Sequence, residues 1–169
     1  MNPAWVVRTG RLVMSPVSGA DLADLIAIKT DPRVFAVMLG GVRTPARVHE
    51  ELAEEIIAWG HRGVGMWAVR ERRGERFVGL TGLEERPDGL GMALRIAFLP
   101  EAQGRGLASE AAFAALRFAH EKAGLRRILA VVREDNFASR QVLGAIGMRV
   151  CGEMWRGSVR KLVLESVWP

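Results

Sequence analysis

A short turn with two glycines, lying between an apolar strand pattern and a helix of small residues, constrains the fold of this chain most. The apolar run Met92–Leu99 stops at Pro100, and a helical pattern begins at Gly106. Gly104 and Gly106 permit positive φ, so successive backbone N–H groups of the turn can point toward one anion. The helix N-terminus adds about half a positive charge at the same place. The stretch predicts a pyrophosphate-binding turn with the Arg105 side chain outside it, although the glycines alone fit an ordinary turn equally well.

The helix predicted after this turn, from Gly106 to Ala123, has one face of small side chains. The face consists of residues at helical spacing, namely Ala108, Ala111, Ala112, Ala115 and Ala119. A helix with such a face can lie very close to a sheet, which brings its N-terminus against the end of the preceding strand. Tight packing of this kind is expected in any core. The functional interpretation adds only that the packing points the helix N-terminus toward the end of the preceding strand.

The rest of the chain alternates between strand and helix signals, without a repeat, a low-complexity segment or a linker. Further strands are predicted at Leu12–Pro16, Met66–Arg70, Phe77–Thr81, Ile128–Val132, Met148–Glu153 and Val159–Val167. Further helices are predicted from Ser18 to Lys29, from Asn136 to Ile146, and from Thr44 to Gly63 with a buried face of Val48, Leu52, Ile56 and Trp59. This order predicts an α/β (α+β) fold with a mixed sheet, and the length suits a single domain over residues 1–169.

Composition and charge narrow the classes of protein. The net charge of +5 comes from 24 basic and 19 acidic residues, and only three of the basic residues are lysines. Arginine suits an anionic ligand, although a compositional habit of the source genome explains the excess of arginine over lysine better. Because the arginines are scattered along the sequence, no nucleic-acid partner is expected. The single cysteine, Cys151, excludes an internal disulfide and a multi-cysteine metal site. Without a signal peptide or an apolar run of about 20 residues, we expect a soluble cytoplasmic protein with no membrane partner.

Two motifs lie about thirty residues apart, with a predicted strand between them: Gln103–Ala108 (QGRGLA), and Asn136–Ser139 (NFAS) followed by Gly147–Met148. The first resembles the Gln/Arg-x-x-Gly-x-Gly/Ala motif of the GNAT superfamily of N-acetyltransferases. The second resembles that family's next motif, Asn-x-x-Ser and then Gly-Phe. The layout of the chain, from Gly10–Leu12 through Phe77–Gly79 to the last strands, is similar to the ribosomal-protein Rim-type branch. The resemblance implies the single-domain GNAT fold, a mixed and mostly antiparallel sheet flanked by helices.

The resemblance also implies acetyl-CoA as the cosubstrate, and no metal. Backbone N–H groups of the glycine turn would hold its pyrophosphate, and the strand edge at Ile96–Phe98 would pair with its pantetheine arm. Asn136 would contact it through the side-chain amide, and this role is compatible with the helix N-cap that an asparagine alone would predict. The implied cofactor-binding residues are Ile96, Ala97, Phe98, Gln103, Gly104, Arg105, Gly106, Leu107, Ala108, Ser109 and Asn136.

The activity that the resemblance implies is direct transfer of an acetyl group to a primary amine, on a protein N-terminus or a small molecule. A backbone N–H near Phe98 would stabilise the developing oxyanion, and a base must take a proton from the ammonium group of the substrate. Glu84 is the predicted base, ahead of Glu85 and Glu153, whereas His120 lies late on the long helix and is set aside. The alternative function is a non-catalytic acyl-CoA-binding or regulatory module on the same fold.

The chain contains no tyrosine, the residue that many members of this superfamily use to protonate the departing thiolate. Ser139 is predicted to donate instead, from the first turn of its helix; a serine that only bonds a free N–H in that turn is the alternative. The sequence does not identify the acceptor amine, although its pocket is expected between Asp31–Gly41 and Thr44–Gly63. Four carboxylates of the second segment could attract a cation but usually form a solvated face: Glu50, Glu51, Glu54 and Glu55. A homodimer is the family's commoner state.

Overall fold

An eight-stranded sheet forms the centre of the molecule in a computed structural model that describes all 169 residues. The strands are β1 (Val7–Arg8), β2 (Leu12–Pro16), β3 (Met66–Glu71), β4 (Phe77–Glu85), β5 (Met92–Phe98), β6 (Arg127–Arg133), β7 (Arg149–Arg156) and β8 (Val159–Val167). The helices are α1 (Leu22–Lys29), α2 (Pro32–Phe35), α3 (Pro45–Arg62), α4 (Leu107–Glu121) and α5 (Phe137–Ala145). The predicted α/β fold with a mixed sheet is therefore confirmed. None of the helices has the length and apolar character that crossing a membrane requires.

The sheet opens in its middle. Its strand order is β1-β2-β3-β4-β5-β6-β8-β7, and every neighbouring pair is antiparallel except β5 and β6. These two parallel strands pair only at Ala93 and Leu129, near their beginnings. Beyond this point they separate, so the C-terminal ends of β5 and β6 face each other across a gap.

Helices cover both faces of the sheet, and β3 shows how the sequence assigns the faces. Successive side chains of a strand point to opposite sides. Trp67 and Val69 enter the larger core beneath α4, whereas Met66 and Ala68 enter the smaller core beneath α1, α2 and α3. Of the predicted alanine face of α4, Ala111, Ala112, Ala115 and Ala119 are fully inaccessible to solvent in the larger core, and Ala108 is half-buried against it.

Strand β4 is longer than predicted, because Gly82, which looks like a strand breaker just past the predicted end, is required inside it, as Gly79 is. A Cβ atom at Gly82 would lie 2.2 Å from the carbonyl oxygen of Gly65, and one at Gly79 would lie 2.4 Å from that of Ala97. Only a residue without a side chain permits such close approach of neighbouring backbone. The strand therefore continues past Thr81 to Glu85.

The other differences from the predicted elements are small. Strand β7 extends to Arg156, and the short elements β1 and α2 carry no pattern that would predict them. Helix α3 runs through Gly60 and ends at Gly63, which takes the left-handed conformation typical of a helix C-terminus. The ends of α4 and α5 lie within two residues of their predicted positions.

Candidate functional site

The glycine turn, residues 103–106, leads directly into α4. Gly104 and Gly106 have φ values of 77° and 74°, and Gly106 is the N-cap residue of the helix. A Cβ atom at Gly104 would meet no heavy atom within 4 Å, so the space beside the turn is open. The first N–H groups of a helix have no partner within it and carry the positive end of its dipole. The predicted positive φ is confirmed at both glycines, and the turn has the geometry of an anion cradle.

Arg11 and Glu110 hold the glycine turn in place. Nη1 of Arg11 donates to the carbonyl oxygen of Arg105 at 2.7 Å, and its Nε donates to Oε2 of Glu110 at 2.7 Å. Burial alone would raise the pKa of Glu110, but hydrogen bonds from Thr9 and Arg11 outweigh burial and lower that pKa. This support was not predictable from the sequence, because Arg11 and Glu110 lie 99 residues apart in the chain.

Two residues considered from the sequence lie away from the turn's open side. The Arg105 side chain donates to Oε1 of Glu71 at 2.5 Å and points away from the gap between β5 and β6. His120 is buried at the far end of α4, where its ring nitrogens lie 2.5 Å from the carbonyl oxygen of Leu125 and 2.9 Å from the hydroxyl of Ser166. Its exclusion from the predicted catalytic residues is consistent with this position.

An outer cleft of about 400 Å³ opens where β5 and β6 separate. Its walls are the end of β5, the glycine turn, the first turn of α4, and α5. All predicted cofactor-binding residues except Arg105 line it, namely Ile96, Ala97, Phe98, Gln103, Gly104, Gly106, Leu107, Ala108, Ser109 and Asn136. The cleft therefore brings together two motifs that are separate in the sequence.

The end of β5 offers unpaired backbone groups to this cleft. The N–H of Leu99 donates to Val78 in β4, whereas the carbonyl oxygen of Phe98 accepts from Nε2 of Gln103 at 3.2 Å. The N–H and C=O of one strand residue point to the same edge, and the edge alternates along the strand. The N–H of Phe98 therefore points away from β4, toward the gap.

Asn136 and Ser139 start helix α5 at the wall of the cleft. Asn136 is buried and is the N-cap of the helix, since its Oδ1 accepts from the N–H of Ser139 at 3.2 Å. Its Nδ2 lies 3.7 Å from the sulfur of Met38. The predicted capping role of Asn136 is confirmed, and Ser139 lines the cleft.

Two further spaces continue from the outer cleft. An inner cavity of about 80 Å³ shares six lining residues with it, namely Val37, Met38, Ile96, Ala97, Asn136 and Ser139. A third space of about 380 Å³ beside α3, called here the α3 pocket, shares five with the inner cavity, namely Arg43, Glu51, Met66, Glu84 and Arg95. The three spaces lie in a row, with the inner cavity between the glycine turn and α3.

Glu84 lies where the inner cavity meets the α3 pocket. Its Oε2 accepts from Nε of Arg95 at 2.9 Å, and its side chain is 39% exposed. Glu85 is ion-paired with Arg62, and Glu153 is ion-paired on the exposed strand β7. Neither of these two lines the inner cavity. Among the predicted bases, only Glu84 shares a wall with Ser139.

A buried group of charges joins α1 to α3 beside Glu84. Nζ of Lys29 lies 2.8 Å from Oε2 of Glu51 and 2.9 Å from Oε1 of Glu55, and Nε of Arg43 lies 2.8 Å from Oε1 of Glu51. Burial would lower the pKa of Lys29, but the two carboxylates raise it. Burial would raise the pKa of Glu51, but Lys29 and Arg43 lower it. Lys29 and Glu51 therefore form the charged pair of this group.

The predicted solvated face of α3 is wrong in part. Glu50 and Glu54 are indeed exposed, with side-chain accessibilities of 66% and 65%. Glu55, by contrast, takes the buried position that was predicted for Ile56, which is itself 44% exposed. The reason is tertiary: the ammonium group of Lys29 offers Glu55 a partner inside the protein.

Comparison with known proteins adds to this geometry. Residues 11–149 match the family described as "Acetyltransferase (GNAT) domain". An acetyltransferase from Agrobacterium tumefaciens is 23% identical, with a TM-score of 0.85 over 96% of this chain and 94% of that one. The ribosomal-protein-S5-alanine acetyltransferase of Vibrio fischeri is 15% identical, with a TM-score of 0.79 over 96% of both chains. The spermidine N-acetyltransferase of Vibrio cholerae, solved with CoA and spermine, is 16% identical, with a TM-score of 0.77 over 94% of this chain and 96% of that one.

Proposed function

This chain belongs to the GNAT family of acetyltransferases, and on that premise we propose that it transfers the acetyl group of acetyl-CoA directly to a primary amine. The observation that carries the proposal is the gap between β5 and β6, which has the glycine turn at its end. The gap offers strand-edge backbone groups to an extended chain, and the turn offers helix N–H groups to an anion. Acetyl-CoA contains both an extended chain, its pantetheine arm, and an anion, its pyrophosphate.

The residues present fit acetyl-CoA. The N–H groups from Gly104 to Ser109 would hold the pyrophosphate, and the edge of β5 at Ile96–Phe98 would pair with the pantetheine arm. The open space beside Gly104 leaves room for phosphate oxygens to approach the backbone. Bound there, acetyl-CoA would supply an acetyl group already activated as a thioester.

Three groups of the chain have the positions that acetyl transfer needs. The N–H of Phe98 points into the gap, where it can stabilise negative charge on a carbonyl oxygen. Glu84 lies on the inner cavity, where it can accept a proton from an ammonium group directly or through water. Ser139 faces the same cavity from the positive end of α5, where its hydroxyl can protonate a departing thiolate.

The acceptor is proposed to enter through the α3 pocket, which meets the inner cavity at Glu84. The named structural neighbours acetylate an alanine of a ribosomal protein and spermidine. A protein N-terminus and a small amine are accordingly the two acceptor classes to be tested first. In both, a neutral amine must form before it can attack the acetyl group.

A free-thiol release assay tests the proposed function. The protein is incubated with acetyl-CoA and a panel of peptides, polyamines, amino acids and aminoglycosides, and released CoA thiol is measured. We expect release that depends on one class of amine, with the acetylated amine identified by mass spectrometry. Tight acetyl-CoA binding by calorimetry without turnover of any amine would instead favour the non-catalytic acyl-CoA-binding module.

Replacing Ser139 with alanine is expected to lower kcat about tenfold while acetyl-CoA affinity stays nearly unchanged, because its interaction strengthens only as charge develops on sulfur. The backbone N–H of Ser139 keeps its bond to Asn136 in this variant, so α5 remains capped. Rapid kinetics and calorimetry measure the two quantities. A variant with normal kcat and a slightly lower Tm would show that the serine has a structural role only.

A further inference from the structure

Glu55 is a buried carboxyl group with one oxygen unaccounted for. The residue is 7% exposed, and its Oε1 accepts from Nζ of Lys29 at 2.9 Å. Its Oε2 is buried without a hydrogen-bond partner. A buried polar atom without a partner costs free energy, so its retention asks for a role. Glu55 also lines the α3 pocket, on the side where Glu84 lies.

The charges around Glu55 divide unequally between the carboxylates of this region. Glu51 faces three cations, Lys29, Arg43 and Arg47, whereas Glu55 shares Lys29 only. Glu84 is ion-paired with Arg95, which it does not share with another carboxylate. The charged groups facing Glu55 from all neighbouring elements are Lys29 of α1, Arg43 before α3, Glu51, Arg47, Glu54 and Arg62 of α3, Glu84 and Glu85 of β4, and Arg95 of β5. Glu55 is therefore the carboxyl group with the least compensated negative charge.

We propose that Glu55 is the final proton acceptor of the reaction, taking up through Glu84 and pocket water the proton that leaves the acceptor's ammonium group. This inference rests on the proposed function. The supporting geometry is the free Oε2 of Glu55, its place on the α3 pocket, and the junction that Glu84 occupies between that pocket and the inner cavity.

Burial raises the pKa of Glu55 to about 7, against the attraction of Lys29 and with the repulsion of Glu84 and Glu51 added to it. A carboxyl group with such a pKa exchanges protons near neutral pH, where an ordinary glutamate is always ionised. Lys29 keeps its own proton, since its pKa is raised. Glu55 is thus the titrating member of the buried group, and Lys29 and Glu51 hold it in position.

The proton balance of the step is complete. The ammonium group loses one proton to the carboxylate of Glu84, which passes it through water of the α3 pocket to the carboxylate of Glu55. The freed lone pair forms the new C–N bond as the C–S bond breaks. A second proton leaves the same nitrogen and ends on the departing thiolate, relayed by the hydroxyl of Ser139, which gives one proton and takes up the other, or by solvent. Glu55 returns its proton to the solvent through the α3 pocket before the next turnover.

The test compares Glu55→Gln with the wild-type chain by pH-dependent kinetics. For the best ammonium acceptor of the thiol-release panel, wild-type kcat/KM is expected to rise with pH through an inflection near 7. Glu55→Gln is expected to lose this inflection and about tenfold of kcat/KM above it. Hydroxylamine, which is already unprotonated at neutral pH, is expected to react equally with both proteins. A retained inflection, or an equal loss with hydroxylamine, would overturn the proposal.

Thermal unfolding provides a second readout that needs no acceptor. Because the folded chain raises the pKa of Glu55 above its unfolded value of 4.5, ionisation of Glu55 destabilises the fold as the pH rises toward 7. The Tm of Glu55→Gln relative to wild type is therefore expected to be higher above pH 7 than below pH 5. A pH-independent difference would show that Glu55 does not titrate there and would overturn the proposal.

Glu50→Gln is the matched control, because it makes the same change on an exposed position of the same helix. It is expected to match wild type in both experiments. If the wild-type chain acetylates no amine, the proposed function fails in the kinetic experiment alone, while the unfolding experiment still decides whether Glu55 titrates near neutral pH. The two failures are thereby distinguishable.

Discussion

Replacement of Glu84 by glutamine is expected to lower kcat/KM for an ammonium acceptor about a hundredfold, the usual size of a general-base contribution. Glutamine has nearly the same volume, and its amide oxygen can still accept from Nε of Arg95, so the wall of the inner cavity is preserved. It cannot take up a proton at neutral pH. Acetyl-CoA affinity is expected to stay unchanged, because Glu84 does not line the outer cleft. Steady-state kinetics and calorimetry measure the two effects.

Glu85→Gln is the control for this variant, since Glu85 is the next residue of β4 but is ion-paired with Arg62 outside the inner cavity. It is expected to retain normal kcat/KM. Because the proposed proton path to Glu55 runs through Glu84, the residual activity of Glu84→Gln is expected to lose the inflection near pH 7. A normal rate in Glu84→Gln together with a loss in Glu85→Gln would transfer the role to Glu85.

Valine at Gly106 is expected to weaken acetyl-CoA binding at least tenfold, or about 1.4 kcal/mol. Gly106 has a φ of 74°, which a β-branched residue adopts only at considerable cost. The turn must therefore shift, and the N–H groups at the start of α4 lose their common direction. Its Cβ would also lie 3.5 Å from Nη2 of Arg11, the side chain that holds the turn in place. Calorimetric titration with acetyl-CoA measures the loss.

Gly124→Val separates the loss of the cradle from general backbone strain. Gly124 has a φ of 70° with no heavy atom within 4 Å of its ideal Cβ, and it follows the opposite end of α4. The two substitutions therefore impose similar strain at the two ends of one helix. Gly124→Val is expected to lower Tm without changing acetyl-CoA affinity. If Gly106→Val and Gly124→Val both bind acetyl-CoA as tightly as wild type, the glycine turn is not part of the binding site.

Much of the fold was predictable because its signals are local. The alanine face of α4, the end of β5 at a proline and the N-cap at Asn136 each depend on residues within a few positions of one another. The length of β4 was not predictable, because a glycine normally indicates the end of a strand unless a neighbouring backbone segment is known to pack closely against it. In Gly82 the approach comes from Gly65, which belongs to a different part of the chain.

The candidate site likewise combines local signals, which the sequence shows, with contacts between distant residues, which it does not show. The GNAT assignment rested on two short motifs, and the family match confirms it. The parts of the site that could not be predicted are pairs distant in the chain: Arg11 with Glu110, and Lys29 with Glu55. A lysine and a glutamate on two amphipathic helices are normally assigned to solvent, because burying either alone is costly. Only the packing of α1 on α3 reveals that they bury each other.

The single pairing of β5 with β6 has a consequence for how the chain folds. It divides the sheet into two blocks that are each continuous in sequence, residues 7–98 and residues 127–167. Within each block most strand pairs, namely β1–β2, β3–β4, β4–β5 and β7–β8, close short loops and can form early, whereas β2–β3 and β6–β8 close longer ones. Helix α4, which connects the blocks and packs on β4, β5 and α5, must then dock them. Hydrogen exchange is expected to resolve two protected units, so the opening that creates the site also separates two steps of assembly.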